Sequence, residues 1–171
     1  MSATTIRMLW GVAGGLAGAL ALLTAWGLTV GFPGRRPANL GPRAGVLAPC
    51  ARSTNCVSSF SASGPAAISP FTSADLALLP DAGAGPEAAL ARLRQILESR
   101  PRTRIVESSA LYLHAEEASR RWGFIDDLEL LADPASGVVH VRSASRLGRR
   151  DFGVNRARVE ALRAALRRAK G

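Results

Sequence analysis

From Met8 to Phe32 the chain reads MLWGVAGGLAGALALLTAWGLTVGF, without one charged side chain. A helix rises about 1.5 Å per residue, so a run of this length covers a hydrocarbon core of about 30 Å. The expected organisation is a tail at 1–7, a transmembrane helix at 8–32, a flexible linker at 33–48 and a soluble domain at 49–171. Trp10 and Trp26 fit an interfacial belt only in part, because Trp26 lies within the run. Gly14 and Gly18 form one small-xxx-small pair that a second helix could approach. A cleaved signal peptide is the competing account, but its apolar core is normally only about 7–15 residues.

Net charge is +9, and only Arg7 precedes the apolar run, so nearly all of that charge belongs to residues 33–171. A basic surface concentrates anionic lipid, acidic protein or nucleic acid without choosing among them. No aromatic platform or recognition-helix pattern accompanies it, which sets nucleic acid last, and the anchor sets an anionic lipid or protein partner first. Arg35, Arg36 and Arg43 outnumber Arg7 across the run and favour a cytoplasmic domain under the positive-inside bias. Cys50 and Cys56, the only cysteines, argue the other way. A disulfide between them would close a small loop and stabilise by about 2 kcal/mol in an oxidising compartment; two inert thiols, or half of a metal site, are the alternatives. The balance leans to a single-pass membrane protein with its domain on the extracytoplasmic side.

Residues 33–49, rich in Pro, Gly and Arg, show neither helical nor alternating apolar periodicity and read as an extended tether. Ile68, Phe71, Leu76, Leu78 and Leu79 are scattered anchors in an irregular stretch. Pro86 suits the start of a helix whose stripe is Leu90, Leu93, Ile96 and Leu97, ended by Pro101. Strands are predicted at 104–107, 111–118, 124–131 and 138–143, with Leu111, Leu113 and Ala115 toward the core. Pairing Leu130 with Val139 and Leu128 with Val141 puts both on one face, and sets Glu129 against His140 and Asp127 against Arg142 on a solvated face. Asn155 is expected to cap a last helix reaching Lys170, with Val159, Leu162 and Leu166 inward and Arg158, Glu160, Arg163, Arg167 and Arg168 outward. The predicted fold is α+β: a four-stranded antiparallel meander packed on one face by two helices, preceded by the transmembrane helix.

Asp126, Arg142, Ser143, Ser145, Arg146, Asp151, Asn155 and Arg156 gather where the last strand gives way to the last helix, a place where N–H groups and guanidinium forks can hold an anion. The structural alternative is that these groups satisfy one another. A serine hydrolase would need a base beside Ser143, but alternation sends His140 to the other face, and no G-x-S-x-G occurs. His114, Glu116, Glu129 and His140 could meet as metal ligands, though no spacing fixes them. Gly148 and Gly153 form no phosphate-binding fingerprint. No cofactor and no resident metal is expected.

PCARSTNCVSS, GFIDDLEL and HVRSASRLGRRDFGVNRARVEALR resemble the domain-of-unknown-function family 1499, over roughly Pro49 to Leu166. The resemblance implies motif positions at Cys50, Asn55, Cys56, Asp126, Asp127, Glu129, Arg142, Ser143, Ser145, Arg146, Asp151, Gly153, Asn155 and Arg156, and it implies no catalytic role for any of them. The expected function is a membrane-anchored, non-catalytic binding or assembly module that recognises an anionic group, lipid or protein partner. A hydrolase built on the Asp/Ser/Arg cluster is the alternative.

Overall fold

The computed structural model describes residues 15–25, 31–50, 54–61, 63–72, 75 and 85–168. Five antiparallel strands form one sheet: β1 (Cys56–Ser58), β2 (Thr103–Ser108), β3 (Tyr112–Ala118), β4 (Ile125–Asp133) and β5 (Val138–Ser145), in the order β1-β5-β4-β3-β2. Helices α1 (Gly85–Glu98) and α2 (Val154–Arg168) cover one face. The α+β reading holds, but the sheet has five strands rather than four. The addition, β1, is too short to show a period and is found by pairing: Val57 lies opposite Ser143 at the edge of β5.

The core between helices and sheet is apolar on both sides. Leu90, Leu93 and Leu97 of α1 and Val159, Leu162 and Leu166 of α2 meet Leu113, Ala115, Leu128, Leu130, Val139 and Val141. Phe71 is sealed against this cluster, its backbone exchanging hydrogen bonds with Val139 at 2.8 and 2.9 Å. Leu111, expected inward, lies just before β3 and is exposed, because the strand begins at Tyr112. Leu76, Leu78 and Leu79 fall outside the described residues.

The β4–β5 register is two residues away from the expected one. Leu130 faces Val141, Leu128 faces Ser143 and Glu129 faces Arg142, while His140 lies opposite Leu131 and Asp127 opposite Ala144. The turn causes the shift. Asp133 Oδ1 accepts the Ala135 and Ser136 N–H groups, Gly137 N–H donates to Asp133 O at 2.9 Å, and Gly137 takes φ 68°. Closing the turn through this glycine sets Asp133 opposite Val138 across four loop residues. A shift of two keeps every side chain on its expected face and changes only its partner.

The second face of the sheet is not solvated. Residues 31–50 cross it in irregular conformation, Leu47 packs with Tyr112, Leu131 and Phe60, and the disulfide Cys50–Cys56 pins the end of this segment to β1. Tyr112, His114, Glu116, Asp127, Glu129 and Arg142 are consequently buried. The outward stripe of α2 is corrected in the same sense: Arg158 and Arg163 are buried, because their long side chains reach Asp126 and Glu117, and Asp75.

Among the described residues no helix is long and apolar enough to cross a membrane. Residues 15–25 are helical and exposed on every side, and the rest of the run 8–30, Trp10 and Trp26 included, lies outside the described residues.

Candidate functional site

The strand-to-helix junction is built from the end of β5, the loop 146–153 and the first turn of α2. Asp151, not Asn155, caps that helix: its carboxylate accepts the Gly153 N–H at 3.0 Å and the Asn155 N–H at 2.9 Å. Helix starts leave such donors without partners in the ladder. Burial works to raise the Asp151 pKa, but these N–H groups prevail and hold it below the usual carboxylate range. Asn155 sits one step into α2, fully buried, and uses both ends of its amide. Its Oδ1 accepts from Ser143 Oγ and Arg158 Nη1, both at 2.6 Å, and its Nδ2 donates to Asn55 O, Ser145 Oγ and Asp151 Oδ2. Arg158 then bridges Asp126, at 2.5 Å, and Glu117.

Strand alternation sends Arg142 and Arg146 to the opposite face. There Arg146 Nε and Nη2 grip Asp127 at 2.8 and 2.7 Å, and Nη2 also reaches Glu116 Oε1 at 2.5 Å. His114 Nε2 lies 2.8 Å from Asp127 Oδ1, and Arg36 and Arg104 complete the shell of Glu116 at 2.7 Å each. Burial alone would raise the Glu116 pKa, yet the hydrogen bonds from Arg36, Arg146 and Arg104 prevail and push it down to about 2. Asp127 is likewise held low against its burial by Arg146 and His114. Beside this group, Glu129 is sealed from water and accepts from Arg142 Nη1 at 2.6 Å, the Gly41 N–H at 2.7 Å and Tyr112 Oη at 2.9 Å.

His114, Glu116 and Asp127 place ligand atoms within 4.8 Å of one another, a set that fits a divalent cation by donor type. The Arg146 guanidinium already bridges the two carboxylates, so a metal would have to displace a fork held by three short hydrogen bonds. The chemistry of the set therefore favours an internal arginine over an ion. Glu129 and His140 do not join it: His140 stacks on Phe60 at 4.2 Å, with Nδ1 3.1 Å from Ser59 Oγ.

Residues 46–166 match the family described as Protein of unknown function (DUF1499). The chain belongs to this family. No curated protein and no solved structure matches it.

In this DUF1499 domain the eight predicted site residues divide into three groups. Asp126, Ser143, Ser145, Asp151 and Asn155 meet at the junction; Arg142 and Arg146 lie across the sheet; Arg156 turns away and donates to Pro65 O at 3.0 Å and Ala67 O at 2.5 Å. Helical spacing alone puts Arg158, which organises the junction, on the wet stripe. The signal for its burial is Asp126, a carboxylate on a core-facing strand position that requires a cation. Glu117, on the same face of β3 as Leu113 and Ala115, follows the same logic. Asn55, Asp127 and Glu129, which the resemblance implies as motif positions, all lie in these two networks.

Outside the networks a cleft of about 280 Å³ opens beside the junction. Phe124, Leu147, Phe152 and Val154 form its apolar rim, with Asp126, Ser145 and Asp151 among its lining residues.

Proposed function

We propose that this chain is a membrane-anchored, non-catalytic binding or assembly module that recognises an anionic group on a lipid or protein partner. One contrast carries the reading. The buried carboxylates Asp75, Glu116, Asp126, Asp127 and Glu129 are each paired with arginine, whereas Arg120, Arg121, Arg149 and Arg150 are exposed and have no ion-pair partner among the described residues. Carboxylates committed to internal guanidinium partners are not free to meet a ligand, whereas unpaired guanidinium groups bind carboxylate and phosphate well.

The helical residues 15–25 support the anchor. Leu16, Leu20, Leu22 and Leu23 are all exposed, and Thr24 Oγ1 donates within the helix to Leu20 O at 3.0 Å and Ala21 O at 2.9 Å. An apolar surface on every side and a self-satisfied hydroxyl are what lipid requires of a helix. The hydrolytic reading is less well supported, because Ser143 is buried with its hydroxyl committed to Asn155, and Asp126 is paired with Arg158.

Carbonate washing of membranes carrying the full chain, followed by mild detergent extraction and headgroup analysis of the bound lipid, tests the proposal. Retention after washing is expected, with enrichment of anionic lipid, or of an acidic protein, that the pair R149E/R150E abolishes. Release by carbonate, or a bound fraction indifferent to charge reversal, would discard it.

A further inference from the structure

The charge-free run joins the domain at one identifiable place. Phe32 N–H donates to Trp122 O at 2.8 Å, and the Phe32 ring lies 6.5 Å from Trp122 and 6.0 Å from Phe124. Gly31 and Gly123 approach so closely that a Cβ added to Gly123 would lie 2.7 Å from Gly31 Cα. The chain therefore enters at the β3–β4 turn, and not at the sheet edge or the helix layer. Residues 26–30 separate the described helix from Gly31, and even fully extended they reach only about 20 Å.

Around this entry point the surface changes character. Trp122 and Phe124 of the β3–β4 turn, Leu147 and Phe152 of the β5–α2 connection and Val154 at the start of α2 are all exposed, Phe152 at 95%. The last four of these line one cleft, so they form a continuous patch rather than scattered side chains. Phe152 is held outward by a backbone at φ 53°, a left-handed conformation that an aromatic residue adopts only at a cost. Monomeric proteins seldom present such a patch unless something covers it.

Arginines punctuate the same two loops: Arg120 and Arg121 precede Trp122, and Arg149 and Arg150 precede Phe152. The acids that face the patch are already answered, Asp126 by Arg158 and Asp151 by the first N–H groups of α2. The patch is thus apolar at its centre and positive at its margin. Aromatic rings at the headgroup boundary with arginines among anionic headgroups are the pattern of a surface lying on a bilayer.

We propose that this end of the domain docks on the membrane, with Trp122, Phe124 and Phe152 at the headgroup boundary and the four arginines on anionic lipid. The proposal rests on the anchored reading above and adds an orientation. The sheet end bearing the β3–β4 and β5–α2 loops faces the bilayer, and the β4–β5 turn at Asp133–Val138 points away.

Trp122 is the only tryptophan outside the apolar run, so replacing Trp10 and Trp26 with Phe in the full chain leaves one reporter. The chain is reconstituted in nanodiscs of phosphatidylglycerol and phosphatidylcholine carrying headgroup-proximal spin-labelled lipid, and Trp122 fluorescence is read. Strong quenching is expected, roughly halved by R149E/R150E or by R120E/R121E. The first pair leaves the Thr54 contact intact, since that contact uses the Arg149 carbonyl. Anchored chain with unquenched Trp122 overturns the orientation while leaving the anchor standing. Quenching unmoved by either charge reversal overturns the role of the arginines. Trp122 shielded from aqueous quencher but not reached by lipid, in a dimeric chain, assigns the patch to a second copy and overturns the proposal. Failure of the chain to stay in the disc would instead strike the anchored reading itself.

Discussion

Arg146 holds Asp127 through two parallel N–H···O contacts, Nε to Oδ2 at 2.8 Å and Nη2 to Oδ1 at 2.7 Å, in a layer that residues 31–50 close off from water. Replacing Arg146 with Met leaves Asp127 and Glu116 buried without their shared cation. A loss of about 3–5 kcal/mol is expected, read as a shift in the urea midpoint of the detergent-solubilised chain. Arg146→Lys should recover less than half, because one ammonium cannot span both carboxylates as a fork does.

Acid should unfold the domain along a defined path. Glu116, Glu117 and Asp127 have folded pKa values below their ordinary values, Glu116 down from 4.5 to about 2. The unfolded chain then binds more protons, so this stabilisation is complete above the ordinary carboxylate range and drains away as pH falls from 4.5 toward 2. His140, whose pKa is lowered by burial against the opposing pull of Asp133, adds a shallow loss in the same direction as pH drops below 6.5. Denaturation midpoints taken at intervals from pH 8 to pH 3 check the shape, and Glu116→Gln should flatten its steep lower limb.

Asn155 sets one amide against five polar partners, its two N–H groups shared among three acceptors, and has no room for a charge. Asn155→Ala removes the acceptor that Ser143 Oγ and Arg158 Nη1 share, leaving them only their 3.0 Å contact with each other at this point, and should cost about 2–3 kcal/mol. Asn155→Asp sets a carboxylate where Nδ2 stood 2.8 Å from Asp151 Oδ2, so near neutral pH it should cost more than the alanine. Thermal melts of the two variants at pH 7 and pH 4 separate charge repulsion from lost bonding: the gap between them narrows on acidification.

Gly123 cannot carry a side chain, because its φ of 63° and the Gly31 backbone both oppose a Cβ. Gly123→Ala should therefore loosen the attachment of the segment after Gly31 by about 1–3 kcal/mol. Trypsin would report this as cleavage after Arg35, the Arg36–Pro37 bond being resistant, accelerated by roughly fivefold at the lower end of that range, with the core fold retained.

Part of the architecture is legible in the residues themselves. Leu90, Leu93 and Leu97, and Val159, Leu162 and Leu166, mark two helices by spacing, and Leu113, Ala115, Leu128 and Leu130 mark the sheet face those helices cover. The outer face misleads, since His114, Glu116, Asp127, Glu129 and Arg142 look like ordinary wet charges on a strand. Nothing local reveals that a segment some 80 residues away in sequence, bearing Arg36 and Gly41, lies over them.

Sequence periodicity alone determined the α+β class, the two-helix layer and the core face, because each depends on which side of an element is apolar, and that is written residue by residue. Tertiary structure alone decided where the charges go. A guanidinium can pair with any carboxylate its long stem reaches, so Arg146 chooses Asp127 and Glu116, and Arg158 chooses Asp126 and Glu117, only once strand pairing, the disulfide and the covering segment have fixed which acids are left without water.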